Sequence, residues 1–107
     1  EVTAAEDFYT YDAKYNNPKS FTVIPAEVSE DSRRKIKKLA EKAFLTVGAK
    51  GLSRVDFFLK EDGEVILNEI NTMPGFTKIS MYPKLFEAAG IEYSKLIDRL
   101  IQLAIYR

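Results

Sequence analysis

Apolar residues return every third or fourth position between residues 29 and 47, at Ile36, Leu39, Ala40, Ala43, Phe44 and Val47. That spacing follows one face of a helix. Ser29 stands where an N-cap belongs, with Glu30 and Asp31 in the first turn and Gly48 where a left-handed residue closes the last one. Residues 52–60 and 64–70 form two strand-like runs around Asp62-Gly63, a pair that tolerates positive φ and signals a hairpin. From about Ser94, the residues Leu96, Ile97, Leu100, Ile101, Ala104 and Ile105 draw a second helical stripe. Between hairpin and stripe, Asn71-Thr-Met-Pro-Gly-Phe-Thr77 reads as a turn-rich loop. Ser80 then caps a short helix with Pro83 in its first turn, ending at Gly90. Upstream, Phe21–Ile24 is a short strand that Pro25 ends or edges. Residues 1–20 fit no period and read as a structured loop. Its Phe8, Tyr9, Tyr11 and Tyr15 either pack it onto the body or make it a lid. The order predicts one α+β unit, a small antiparallel sheet with helices packed on one face.

Composition narrows the chemistry. Sixteen basic and sixteen acidic residues cancel, so bulk charge makes no case for nucleic acid or an anionic membrane. The basic run Arg33–Lys38 is interrupted at Ile36, as the solvated face of an amphipathic helix requires. The chain has no Cys and no His. Disulfides, thiolate nucleophiles, a Ser-His-Asp triad and a His-liganded metal are therefore excluded from it. What remains is carboxylates, Lys, Arg, Tyr, amides and backbone groups, a set suited to a hard cation such as Mg²⁺. No apolar run reaches the ~18–20 residues of a transmembrane helix and no signal peptide is seen, so a cytoplasmic location is expected. The start at Glu1-Val2-Thr3, without Met, hints at a piece of a longer protein.

With Asp62-Gly63 as a two-residue turn, Glu61 faces Glu64, Phe58 faces Leu67, Asp56 faces Glu69 and Arg54 faces Asn71. Side chains alternate along a strand, so Arg54, Asp56, Glu69 and Asn71 project from one face. Two acidic residues directly opposite each other are destabilising. A divalent cation between them removes the conflict, Asn71 adds a neutral oxygen, and Arg54 can hold a phosphate or a developing oxyanion. A structural ion-pair cluster centred on Arg54 fits the same spacing. A one-residue slip from a three-residue loop would separate Asp56 from Glu69. Pro74-Gly75 with Thr77, Ser80 and a helix start is either a plain connection or an anion-binding turn. Lys14-Tyr15 is either an exposed Lys beside a packed Tyr or a pair reaching across a site.

Gly51-Leu-Ser-Arg-Val-Asp-Phe-Phe-Leu59, Leu67-Asn-Glu-Ile-Asn-Thr-Met-Pro-Gly-Phe-Thr77 and Ser80-Met-Tyr-Pro83 resemble the carboxy-terminal lobe of the D-alanine–D-alanine ligase family, within the ATP-grasp superfamily. Phe8–Tyr15 resembles that family's ω-loop. The resemblance runs over nearly the whole chain, and the Asn-Glu-x-Asn-Thr-x-Pro-Gly element is its most specific part. It implies residues 1–107 as an ATP-grasp C-terminal lobe, with 1–20 the ω-loop or lid and 21–107 the catalytic hairpin and helices. The chain then looks like roughly the last third of a ligase, without turnover of its own.

The resemblance also implies a reaction. ATP phosphorylates the carboxylate of one D-alanine, and the amine of a second attacks the acyl phosphate to give the D-alanyl-D-alanine of peptidoglycan. Carried to matching positions, Asp56, Glu69 and Asn71 would ligate two Mg²⁺ ions, for which Mn²⁺ can substitute, with Glu69 shared between them. Arg54 and the Gly75 N–H would stabilise the oxyanion. Ser80 and the backbone at Met81 would hold the second D-alanine. Lys14 would approach the transferred phosphate, and Tyr15 would close the lid. The implied partners are ATP, D-alanine and, in the full-length enzyme, a second copy as homodimer, with no nucleic acid or membrane. A ligase taking D-serine or D-lactate second, or a non-catalytic lobe used for assembly, remains an alternative reading.

Overall fold

The computed structural model describes residues 2–3 and 21–106. Strand β1 (Val2–Thr3) pairs antiparallel with β2 (Phe21–Thr22). Helix α1 (Glu30–Thr46) leads to the hairpin of β3 (Arg54–Leu59) and β4 (Val65–Asn71), then to α2 (Met81–Ala88) and α3 (Tyr93–Tyr106). Of the predicted loop 1–20, Val2–Thr3 form a strand because they pair with Phe21–Thr22, and residues 4–20, with Lys14 and Tyr15, lie outside the described residues.

Helix α1 forms for the reasons its sequence predicts. The Ser29 side chain accepts from the Ser32 N–H at 3.1 Å, satisfying a donor that the first turn leaves over. At the other end the Gly48 N–H donates to Leu45 and the Ala49 N–H to Phe44, the paired bonds of a Schellman ending, with Gly48 at φ +66°. The basic run is spread round the helix. Arg34 and Lys35 pair with Asp31 in solvent, and Arg33 reaches back to Glu30.

The hairpin departs from the predicted register at its tip and recovers it at its base. Lys60, not Glu61, faces Glu64, and the Gly63 N–H donates to the Lys60 carbonyl. The connection is thus a three-residue loop, Glu61-Asp62-Gly63, with Gly63 at φ +89°. This is the type I turn plus left-handed residue that loops of this length prefer. The shift leaves Phe58 opposite Ile66 rather than Leu67. A bulge then places Asn68 as an extra residue on β4, between Glu69 opposite Asp56 and Leu67 opposite Phe57. The two one-residue offsets cancel, and Asp56↔Glu69 and Arg54↔Asn71 stand as predicted.

One face of the hairpin carries Val55 and Phe57, which share an apolar groove with Ile36, Ala40 and Phe44 of α1. The other carries Arg54, Asp56, Glu69 and Asn71 and stays open, with Phe58 and Ile66 exposed beside them. Helices α2 and α3 pack on each other. Their region holds the two best-buried hydrophobic side chains among the described residues, Leu96 at 3% and Tyr82 at 5% exposure. Phe76 tilts against both Tyr82 (5.6 Å) and Tyr93 (5.3 Å), and Tyr82 against Phe86 (5.0 Å). These aromatics tie the loop after β4 to the helix pair. No helix among the described residues is long and apolar enough to cross a membrane.

Burial raises the Tyr82 phenol above its ordinary value of 10.0. The folded chain therefore keeps this proton at pH values where the unfolded chain has released it, so stability falls as pH rises past about 10. Tyr82→Phe is expected to flatten that alkaline loss. Urea melts of both proteins at about pH 8 and pH 11 measure the difference.

Candidate functional site

Two groups of side chains come together along the path from β3 to α2. The first sits on the open face of the hairpin. Arg54 Nε donates to Asp56 Oδ1 at 2.9 Å and Arg54 Nη2 donates to Asp56 Oδ2 at 3.0 Å. The same Nη2 lies 3.7 Å from Glu69 Oε1. One guanidinium thus spans two carboxylates that the strand register sets face to face, which explains how apolar strands tolerate the pair. The Arg54 side chain is mostly buried at 18% exposure, whereas that of Glu69 is open at 58%. The ion-pair cluster left open by spacing is present, on the same face as the predicted ligand set.

Asn71 faces Arg54 at the base of the hairpin, and its Oδ1 accepts from the Met73 N–H at 3.1 Å. This Asx turn fixes the amide oxygen and starts the loop that carries the second group. There the chain runs through Pro74-Gly75 and turns at residues 78–79, where the Ser80 N–H donates to the Thr77 carbonyl at 3.0 Å. A Cβ built on Gly75 would come 3.1 Å from Ser80 Oγ. Ser80 occupies the N-cap position of α2 but makes no capping bond. Its Oγ turns instead to Thr77, accepting the Thr77 N–H at 3.0 Å and lying 2.8 Å from Thr77 Oγ1. Met81 follows as the first residue of α2. The predicted cap is therefore right in position and wrong in partner. The nearby Thr77 hydroxyl completes a polar pair in its place.

The donor set can be tested against a cation on chemistry alone. Asp56, Glu69 and Asn71 offer only oxygen, as a hard divalent ion requires. Among the described residues no group of three or more Asp, Glu, His or Cys gathers. Two carboxylates and an amide suit Mg²⁺, which takes one or two carboxylates and fills its other positions with phosphate oxygens and water. The set fits that ion and would underfill a protein-only calcium cage.

Sequence reasoning missed the role of two residues. The Tyr93 hydroxyl donates to the Phe76 carbonyl at 3.0 Å, pinning the loop beside Thr77. The signal for Thr77 was a hydroxyl three residues before the Ser80 hydroxyl. For Tyr93 there was no local signal, since its partner lies 17 residues away.

A small antiparallel hairpin with three helices matches the C-terminal domain of solved D-alanine–D-alanine ligases, an ATP-grasp architecture. The family model described as "D-ala D-ala ligase C-terminus" matches residues 1–102, and the chain belongs to that family. It is 54% identical over 108 residues to the D-alanine–D-alanine ligase of Shouchella clausii, covering all of this chain and 29% of that protein. The solved D-alanine–D-alanine ligase of Bacillus anthracis complexed with ATP superposes with a TM-score of 0.71 at 32% identity, over 75% of this chain and 28% of the other. The VanG D-Ala:D-Ser ligase of Enterococcus faecalis gives 0.80 at 35% identity, over 96% and 30%. The chain spans less than a third of the length of the curated relatives it matches.

Proposed function

We propose that this chain is the metal-, phosphate- and second-substrate-handling part of an ATP-dependent ligase that joins two D-alanines. The observation that carries this reading is the opposed pair Asp56–Glu69 with Arg54 spanning it, on an open face of a hairpin in a chain of this family. In the reaction, the γ-phosphoryl of ATP passes to a carboxylate oxygen of the first D-alanine, releasing ADP. The amine nitrogen of the second then attacks the carbonyl carbon, the C–O bond to phosphate breaks, and an amide remains.

Such chemistry asks a protein chiefly for positioning and charge neutralisation. Asp56, Glu69 and Asn71 would hold two Mg²⁺ ions, which when bound would neutralise the charge of the phosphates. Arg54 would place its guanidinium on the tetrahedral oxyanion, with the Gly75 N–H as a second donor. Ser80 would donate its hydroxyl to the carboxylate of the second D-alanine, alongside the Met81 N–H at the start of α2. Lys14 would approach the transferred phosphate, and Tyr15 would close the lid over the substrate.

The test is ADP release coupled to dipeptide formation by the full-length ligase carrying this sequence, with ATP, Mg²⁺ and D-alanine all required. No dipeptide under those conditions contradicts the reading. In the same assay Ser80→Ala is expected to raise KM for the second D-alanine by about 10- to 100-fold, the worth of one hydrogen bond to a charged group. A second reading takes D-serine as the second substrate; the VanG D-Ala:D-Ser ligase and a D-alanine–D-alanine ligase of Bacillus anthracis superpose equally well, both at a TM-score of 0.80, so the fold supports the two alike. Running D-alanine, D-serine and D-lactate side by side separates the two.

A further inference from the structure

Ser80 Oγ accepts the Thr77 N–H at 3.0 Å and lies 2.8 Å from Thr77 Oγ1. A hydroxyl oxygen has two acceptor positions and one proton to give. When both Thr77 groups donate, the acceptor positions are filled and the Ser80 O–H is left to donate elsewhere. Gly75, where an added Cβ would come 3.1 Å from the same oxygen, keeps that side of it clear of a side chain.

We propose that Thr77 is a positioning residue that acts through Ser80: it polarises the Ser80 hydroxyl and aims its proton at the carboxylate of the second amino acid. The proposal rests on the reading of Ser80 given above and deepens it. Thr77 touches no substrate itself. Its hydroxyl serves as the donor behind the donor. Either oxygen of the pair can donate, and a ligand carboxylate that takes the Ser80 proton leaves Thr77 Oγ1 as the donor behind it.

The test uses the full-length ligase. Thr77→Val removes the hydroxyl and keeps the N–H and the branched shape. It is expected to raise KM for the second D-alanine by about three- to ten-fold, the range of one neutral hydrogen bond. KM for ATP stays unchanged, and Thr77→Ser restores the wild-type value. Added to Ser80→Ala, Thr77→Val has no further effect, because a residue acting through another is silent once that one is gone. Additive effects in the double variant, an equal rise in KM for ATP, or no recovery with serine would overturn the proposal. Where valine unsettles the loop, the comparison of Thr77→Ser with Thr77→Ala carries the same reading. A wild-type enzyme without D-alanine ligation, or a Ser80→Ala enzyme with unchanged KM, sinks the underlying reading of Ser80 instead.

Discussion

Arg54→Met in the full-length ligase is expected to lower kcat by about a thousandfold or more, the scale on which an arginine stabilises charge in phosphoryl and acyl transfer. The side chain is well buried and holds Asp56 through two hydrogen bonds while reaching Glu69. Methionine keeps its length and removes the fork that orients Asp56, the counterion of the opposed carboxylates and, on the proposed reading, the charge for the oxyanion. Arg54→Lys restores charge without the fork, so it recovers activity only in part. Steady-state rates of ADP release for the three proteins check this order. A methionine variant within tenfold of wild type would contradict it.

The largest expected effect on stability is Leu96→Ala. Leu96 is 3% exposed and lies on α3, which packs against α2. Among the described residues few hydrophobic side chains are buried, and no side chain falls below 2% exposure. A truncation there removes a large share of what holds the helix pair. Large-to-small changes at such sites cost about 2–5 kcal/mol, against a total of about 5–15 for a typical domain. Urea melts of wild type and variant, with unchanged m-value, measure it. Leu45→Ala, at 75% exposure on α1, is the matched control and should change little.

Much of this was legible locally. Ser29, the acidic first turn and Gly48 specify α1 through interactions within a few residues, and the helix forms with those bounds. Asp62-Gly63 signals a hairpin correctly, yet the dipeptide does not say whether the loop holds two residues or three. The bulge at Asn68 carries no mark in the pattern either, because the all-apolar run Val65-Ile66-Leu67 before it has no alternation whose phase could break. The Asp56–Glu69 facing was reached by counting from a two-residue turn. It stands because loop and bulge each shift the register by one, in opposite senses. Ser80 shows another limit. Residue type and position predict a cap, but the choice between the helix's own N–H groups and Thr77 is settled by the fold of the Pro74–Thr77 loop. The exposure of Phe58 and Ile66 follows from which face α1 covers, something neither strand encodes by itself.

On the proposed reading, the hairpin face of Asp56, Glu69 and Asn71 holds the metal that binds the phosphates of ATP. The most direct test is a crystal structure of the full-length ligase with ATP and Mn²⁺, read in anomalous difference maps. The account predicts two peaks within about 2.5 Å of oxygens from these three residues, with Glu69 touching both. Manganese held by other residues, with Asp56 still bonded only to Arg54, would contradict it.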